Sequence, residues 1–252
     1  MVKVFVICLS TRQQHSQCIN SWYYTFKNVN IFDAVKGATI DLTDSSLVHP
    51  LVHLSINTGK QHSTYDIPSR GAIGCFLSHY ELWQRCVSLN EPIIIMEEDV
   101  FINEESAQFL QTIISNIPHT ADLVSLMYIF LKFPTNSYKQ VFAKIEGPEF
   151  AGTQMYYITP RGARGLIKDA FPIFTQVDLF IGLQTYRKKL NTYGVRKRLY
   201  SISNIIIDNM SSSIQRFSVK KYLPCDNLFY IIILSIVTAL ITTIVISFQN
   251  EI

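Results

Sequence analysis

The sequence predicts an α/β fold built around a buried central sheet, and three stretches carry that reading. Val2 to Leu9 is a short apolar run suited to an opening strand. Pro92 to Ile102, PIIIMEEDVFI, runs three isoleucines straight into Glu97, Glu98 and Asp99. A run without polar alternation is a strand covered on both faces, as at the centre of a parallel sheet. Arg70 to Val87, RGAIGCFLSHYELWQRCV, places Ile73, Phe76, Leu77, Tyr80, Trp83 and Val87 in one stripe at helical spacing. Cys75, Leu82 and Cys86 widen the stripe, and a helix apolar over so much of its surface is buried. A chain of 252 residues suits one large α/β domain or two small ones.

After the first strand, Ser10, Thr11 and Arg12 form a polar loop at its carboxyl end. In open α/β sheets that is a common place for a nucleotide. Arg12 can pair with phosphate or base there, or cap a helix. Helical or irregular structure continues through Trp22 to Phe26. Val29 to Val35, VNIFDAV, is a second strand with Lys36-Gly37 as its turn. Ala38 to Ile67 is polar and aperiodic, with His49-Pro50, Asn57-Thr58-Gly59 and Ile67-Pro68 as breakers. It is expected to be a long loop with short elements.

Gly71 and Gly74 near the start of the buried helix permit close backbone approach, and helix N-termini attract anions. Ser78 and His79 are its polar exceptions, either a satisfied core pair or two ligand contacts. Asn90-Glu91-Pro92 ends the helix and opens the acidic strand. Glu104 to Ile117 is an amphipathic helix, and Asp122 to Phe130 is another buried strand. Phe133 to Glu149, broken by Pro134 and Pro148, is expected as a hairpin. Gln154 to Thr159 is a strand, and Pro160 starts a helix. Leu179 to Lys189 is a further helix with Asp178 placed as its N-cap. Tyr193 to Ile207 holds the final strands.

The acidic strand end has two readings. Three adjacent carboxylates repel one another, and burying them uncompensated is costly. Either they splay into water as a solvated turn, or a cation sits among them. Alternate residues of an extended chain share a face, so Glu97 and Asp99 point together and Glu98 away. That pair is a clip for a hard divalent ion with positions left open for a phosphorylated ligand.

Composition narrows the class. A net charge of +3, with no basic run longer than the clusters at Arg187–Lys189 and Arg196–Arg198, argues against nucleic acid as a partner. Five scattered cysteines with no CxxC spacing indicate neither a disulfide framework nor a zinc site, and reduced thiols point to a reducing compartment. The six histidines offer no metal-ligand spacing on this reading. Lys3 followed by a short apolar run with no small-residue cleavage site is not a signal peptide. Leu228 to Phe248, LFYIIILSIVTALITTIVISF, carries no charge across a length that spans a hydrocarbon core. Lys220 and Lys221 before it leave the main domain on the cytosolic side. The expected organisation is a catalytic domain over 1–215, a linker over 216–227 and a transmembrane tail anchor over 228–248.

Taken together, the segments resemble glycosyltransferase family 25, the lipooligosaccharide and procollagen galactosyltransferases. The opening strand ending in Ser10 to Arg12, GAIGCFLSHYELW, IIIMEEDV and GTQMYYITPRGARGLI match the family's pieces in order, and Asp178 in QVDLF resembles its later Pro-x-Asp element. The resemblance implies a GT-A type, Rossmann-like fold. It further implies a nucleotide-sugar donor such as a uridine-diphosphate hexose, galactose or glucose, and transfer with inversion to a hydroxyl of a glycan, lipid-linked saccharide or protein. Glu97 and Asp99 would then hold manganese or magnesium against the donor diphosphate. Asp178 would be the base, a helix cap being the alternative. Ser10, Arg12, Gly74, Ser78 and His79 would shape the donor pocket. Glu98 stands where the family has Asp, and Gln176 departs from its proline-containing pattern.

Two rivals share these residues. A metal-dependent phosphohydrolase would need further His or Asp ligands converging on the ion. A glycosyltransferase-like, membrane-anchored binding protein would keep the pocket without turnover.

Overall fold

The computed structural model describes residues 2–9, 16–58, 67, 69–126, 141–148, 150, 153–195 and 205–207. All lie in a unit running from Met1 to Arg216. Ser10, Arg12 and the expected membrane span at Leu228–Phe248 fall outside the described residues. Among those described, no helix is long and apolar enough to cross a membrane.

The strands are β1 (Lys3–Cys8), β2 (Val29–Asp33), β3 (Ile93–Glu97), β4 (Val100–Ile102), β5 (Leu123–Ser125), β6 (Phe142–Ile145), β7 (Met155–Ile158), β8 (Thr192–Val195) and β9 (Ile205–Ile207). The α-helices are α1 (Ser16–Thr25), α2 (Pro50–Thr58), α3 (Arg70–Leu89), α4 (Glu104–Ser115), α5 (Pro160–Ile167) and α6 (Val177–Tyr186). Seven strands form one sheet in the order β2-β1-β3-β7-β5-β8-β6, and β4 pairs with β9 in a second, two-stranded sheet.

The expected parallel surroundings of the acidic strand hold on one side only. β1 runs parallel to β3, but β7 is antiparallel to it. Ile93, Ile94, Ile95 and Met96 are nevertheless fully buried. Sheet direction does not change the burial of a central strand, so a continuous apolar run cannot distinguish the two. The PIIIMEEDVFI stretch is also two strands, not one. The chain turns at Glu98 and Asp99, and Val100–Ile102 leaves for the second sheet.

Alternate side chains build a core on each face. Phe5, Ile7, Ile93, Ile95, Tyr156 and Ile158 face α3, α5 and α6. Val4, Val6, Ile94, Met96, Val124 and Met155 face α1 and α4. The connection from β1 to β2 passes through α1, and the return from β2 to β3 passes through α3. Moving opposite ways across the sheet with one crossover hand puts these helices on opposite faces.

Each helix start has a local cause. Ser69 caps α3 by accepting the Ala72 N–H, Asn103 caps α4 at Ser106, and Thr159 caps α5 at Gly162. Asn90, at φ 50°, closes α3 in the left-handed conformation that Asn tolerates. The region expected as loop after β2 contains α2, because Pro50 takes the first helical position, where its missing N–H costs nothing. Phe142–Ile145 pairs with β8, and residues 133–140 of the stretch expected as a hairpin lie outside the described residues.

The fit of α3 against the β2 loop depends on Gly74. A Cβ at that position would stand 2.4 Å from the Val35 carbonyl oxygen and 2.8 Å from the Gly37 nitrogen. Both neighbours are backbone and cannot rotate aside. Gly74→Ala gains about 1 kcal/mol of helix propensity against about 1–3 kcal/mol of overpacking. The substitution is therefore expected to lower stability by up to about 2 kcal/mol, measured as a fall in the urea midpoint at unchanged slope. A rise in the midpoint would show that the contact is not close.

Candidate functional site

The carboxyl ends of β1 and β3 lie side by side, with β2 reached on one side of β1 and β3 on the other. This reversal of strand order is the switch point at which open α/β sheets bind ligands. The three carboxylates sit at that edge. Glu97 ends β3 with its side chain 23% exposed, and Glu98 and Asp99 are half-buried in the turn that follows.

Alternation requires an extended chain through Asp99, but the strand ends at Glu97 and a turn holds Glu98 and Asp99. Glu98 faces β1: its Oε2 accepts the Leu9 N–H at 3.2 Å. Its charge, with that of Asp33, adds to burial in pushing the Cys8 thiol up to about 12. Glu97 instead lies beside Cys75 and His79 of α3. The Cys75 thiol is pushed well above its usual range, first by burial, then by Glu97, Asp178 and Asp99. The charge of Asp178, in the first turn of α6, thus acts on Cys75 as well.

Asp178 lies in that first turn but is not the N-cap. The helix starts at Val177, Gln176 occupies the cap position without a side-chain cap bond, and the Asp178 Oδ1 accepts the Leu179 N–H at 2.8 Å. The boundary lies two residues earlier than expected, because Gln176 takes the extended cap conformation without a capping side chain.

Glu97 is held from two sides. The Thr153 hydroxyl donates to its Oε1 at 2.8 Å, and the His79 Nε2 stands 3.7 Å from the same oxygen. Burial raises the Glu97 pKa, but His79 and then Thr153 outweigh it, so the net shift is downward and the carboxylate stays charged. His79 is itself completely buried. Its Nδ1 lies 2.9 Å from the Tyr156 hydroxyl, which also accepts the Trp83 indole N–H at 2.9 Å. Tyr156 then either donates to Nδ1, leaving an N–H on Nε2, or accepts from Nδ1–H, leaving the Nε2 lone pair toward Glu97 and Cys75. Nε2 makes no hydrogen bond.

Gly74 and Ser78, expected at the donor pocket, are buried and used by the chain itself. The Ser78 hydroxyl donates to the Gly74 carbonyl at 2.8 Å and accepts the Val35 N–H at 2.9 Å. These bonds hold α3 to the loop after β2. A cleft of about 610 Å³, lined by His49, Leu51, Leu54, Phe171 and Phe174 among others, lies between α2 and the segment leading to α6. Glu97, Asp99 and Asp178 do not line it.

Sequence reasoning missed Cys75 as a site residue and dismissed metal-ligand spacing among cysteines and histidines. Cys75, His79 and Glu97 offer one ligand atom each, all within 4.8 Å of one another. The signal was present in the Cys75–His79 separation, because residues four apart share a helix face.

The comparisons with known proteins agree in kind. The family model described as Glycosyltransferase family 25 (LPS biosynthesis protein) matches residues 1–181. The chain is 27% identical over 171 residues to the mouse (Mus musculus) protein named Inactive glycosyltransferase 25 family member 3, covering 66% of this chain and 28% of the relative. It is 25% identical over 187 residues to human (Homo sapiens) Procollagen galactosyltransferase 2, covering 71% of this chain and 29% of that protein. Against the Haemophilus influenzae Lipooligosaccharide biosynthesis protein lic2B it is 32% identical over 113 residues, covering 42% of this chain and 36% of the relative. The matches thus span about a third or less of these relatives' lengths.

Tyr156→Phe keeps the ring and removes the hydroxyl shared by Trp83 and His79. Leaving buried polar groups unpaired costs about 1–3 kcal/mol, and the expected result is a melting temperature lower by several degrees. An unchanged melting temperature would show that the two bonds contribute nothing net.

Proposed function

The chain belongs to glycosyltransferase family 25, and on that premise we propose that it moves a hexose, galactose or glucose, from a nucleotide sugar to a hydroxyl with inversion, on a GT-A type fold. The observation that carries this reading is the position of Glu97 at the carboxyl end of β3, beside Cys75 and His79, with Asp99 two residues on in the turn that follows. The names of two relatives, for procollagen galactosyl transfer and lipooligosaccharide biosynthesis, support the reaction class. The acceptor is a glycan, lipid-linked saccharide or protein hydroxyl.

The residues fit a hard divalent cation. Two carboxylates two positions apart both oppose ionisation of one partly buried thiol, and such concentrated negative charge favours a cation nearby. Glu97 and Asp99 would hold it. Manganese or magnesium bound there would supply positive charge against the departing diphosphate.

The chain's own residues do the rest. Thr153 and His79 fix the direction of the Glu97 carboxylate before a donor arrives. Ser10 and Arg12 follow β1 directly and contact the donor, with His79 on the α3 side. Gly74 and Ser78 contribute by docking α3, which carries His79. Asp178 takes the proton from the acceptor hydroxyl as its oxygen attacks the anomeric carbon opposite the leaving diphosphate. One carbon–oxygen bond forms as the other breaks, so the enzyme carries no covalent intermediate.

A second reading has support of its own: a relative is named as inactive, and Glu98 stands where the family has Asp. In that case the chain binds a nucleotide sugar without turning it over.

Incubating the 252-residue chain with uridine-diphosphate hexoses and manganese is expected to release uridine diphosphate, with or without an acceptor. Asp99→Ala is expected to lower the rate about 10²–10³-fold by removing charge stabilisation. Asp178→Asn is expected to lower it about 10²–10⁴-fold by removing the base. Full activity in both variants would overturn the site. Donor-dependent thermal stabilisation without turnover would select the binding-protein reading.

We extend the proposal to location: the uncharged stretch Leu228–Phe248 attaches the chain to a bilayer, with the catalytic unit on the cytosolic face. Deleting residues 208–252 is expected to move the protein from the membrane fraction to the supernatant. Continued sedimentation with membranes would place the attachment elsewhere.

A further inference from the structure

The pair Glu97–Asp99 offers only oxygen, yet on its α3 side Glu97 meets a different set of donors. Cys75 and His79 lie one helical turn apart on α3 and present sulfur and imidazole nitrogen toward the same carboxylate. Sulfur and imidazole together suit a borderline ion such as Zn²⁺ and suit manganese or magnesium poorly.

The separation is informative. At 3.7 Å, His79 Nε2 and Glu97 Oε1 stand too far apart for a hydrogen bond. Two ligands of a tetrahedral zinc ion, bonded at about 2.0–2.2 Å, lie about 3.3–3.6 Å apart. Nε2 is the independent sign of a ligand: it belongs to a fully buried side chain, makes no hydrogen bond and points into the cluster. A buried polar atom left so requires an explanation. Both ligands already have outer partners, Tyr156 for His79 and Thr153 for Glu97, as metal-bound imidazoles and carboxylates do. With an ion on Nε2 the ring proton sits on Nδ1, and the Tyr156 oxygen has lone pairs for both that proton and the Trp83 N–H. Glu97 and Cys75 are only partly buried, which leaves an approach from solvent.

We propose that Cys75, His79 and Glu97 form a binding site for a borderline divalent cation of the Zn²⁺ type, sharing Glu97 with the carboxylate pair. The inference does not depend on the transferase reading, since it concerns ion binding by three side chains and needs neither donor nor turnover. An ion in this site takes Glu97 away from Asp99, so the two kinds of cation exclude one another at that oxygen.

Co²⁺ is the probe, because thiolate-bound tetrahedral Co²⁺ has sulfur-to-metal charge-transfer absorption in the near-ultraviolet. Titrating the 252-residue chain under reducing conditions is expected to develop that band to one equivalent and to lose it on adding Zn²⁺. Cys75→Ser is expected to abolish it, His79→Gln to weaken Co²⁺ binding at least ~10-fold, and Cys86→Ser to retain it. Absence of the band in the folded wild-type chain, or its persistence in Cys75→Ser, would overturn the proposal. A second measurement needs no variant: Zn²⁺ is expected to protect Cys75 from N-ethylmaleimide, read by peptide mass, and equal labelling with and without Zn²⁺ would count against the site. Turnover is assayed separately, with manganese and without Co²⁺ or Zn²⁺, so that its failure bears on the transferase reading and leaves the ion site standing.

Discussion

The site depends on how closely α3 lies against the sheet and the loop after β2. That approach brings Cys75 and His79 to the end of β3, and it rests on two features of the helix. Gly74 has no Cβ where the backbone of Val35 and Gly37 passes. Ser78 replaces a van der Waals contact with two hydrogen bonds at the next turn. Further along, His79 and Trp83 converge on one hydroxyl of β7. Helix, loop and antiparallel strand are thereby tied at three successive turns, and rotating α3 would break all three contacts together. The hydrophobic stripe supplies most of the burial, but an apolar stripe alone tolerates small rotations. The polar contacts select one orientation.

The electrostatics follow from that orientation. Four buried residues, Ile93 to Met96, carry the chain through the core, and the first carboxylate appears where the strand reaches the sheet edge. Crowded carboxylates are tolerable there because each has a different neighbour. Glu98 takes a backbone N–H from the end of β1, while Glu97 takes a hydroxyl and the edge of a histidine. Burial alone would raise the Glu97 pKa, and its net downward shift shows that these partners outweigh desolvation. Its carboxylate is thus charged and fixed in direction without help from the solvent. Cys75 is the counterpart, a partly buried residue whose ionisation is opposed by burial and by the charges of Glu97, Asp178 and Asp99.

Much of this was legible in the residues. The buried run and the wide apolar stripe on α3 locate a central strand and its covering helix, because both signals depend only on burial. The shared face expected of Glu97 and Asp99 assumed a continuous strand, and the turn at Glu98–Asp99 removes that premise. What escaped depended on partners far away in sequence. The antiparallel direction of β7 is invisible in PIIIM, since a doubly buried strand has the same composition beside either kind of neighbour. The departure of Val100–Ile102 to pair with β9 is a choice of partner, not of propensity. The helix at Pro50 was hidden because His49-Pro50 also serves as a breaker, and only the residues after it decide which. Gly74 and Ser78, singled out for the donor pocket, also pack α3 against the loop after β2, a role that depends on a neighbour distant in sequence.

Cys75 was missed for a more instructive reason, and His79, singled out for the donor pocket, was not weighed as a metal ligand. A search for metal spacing looks for repeated cysteines or paired histidines, and a Cys and a His four apart on an apolar stripe resemble two core residues. Their chemistry emerges only when a third donor arrives from another element, and Glu97 arrives through the β1–β3 pairing on one side and the contact with β7 on the other. Glu97 therefore stands between two environments, oxygen on the side of Asp99 and sulfur with nitrogen on the side of α3. A carboxylate so placed cannot be described by one neighbour set. The strand that delivers it is buried without polar relief, so every polar contact that defines its role comes from α3 and from the residues just before β7.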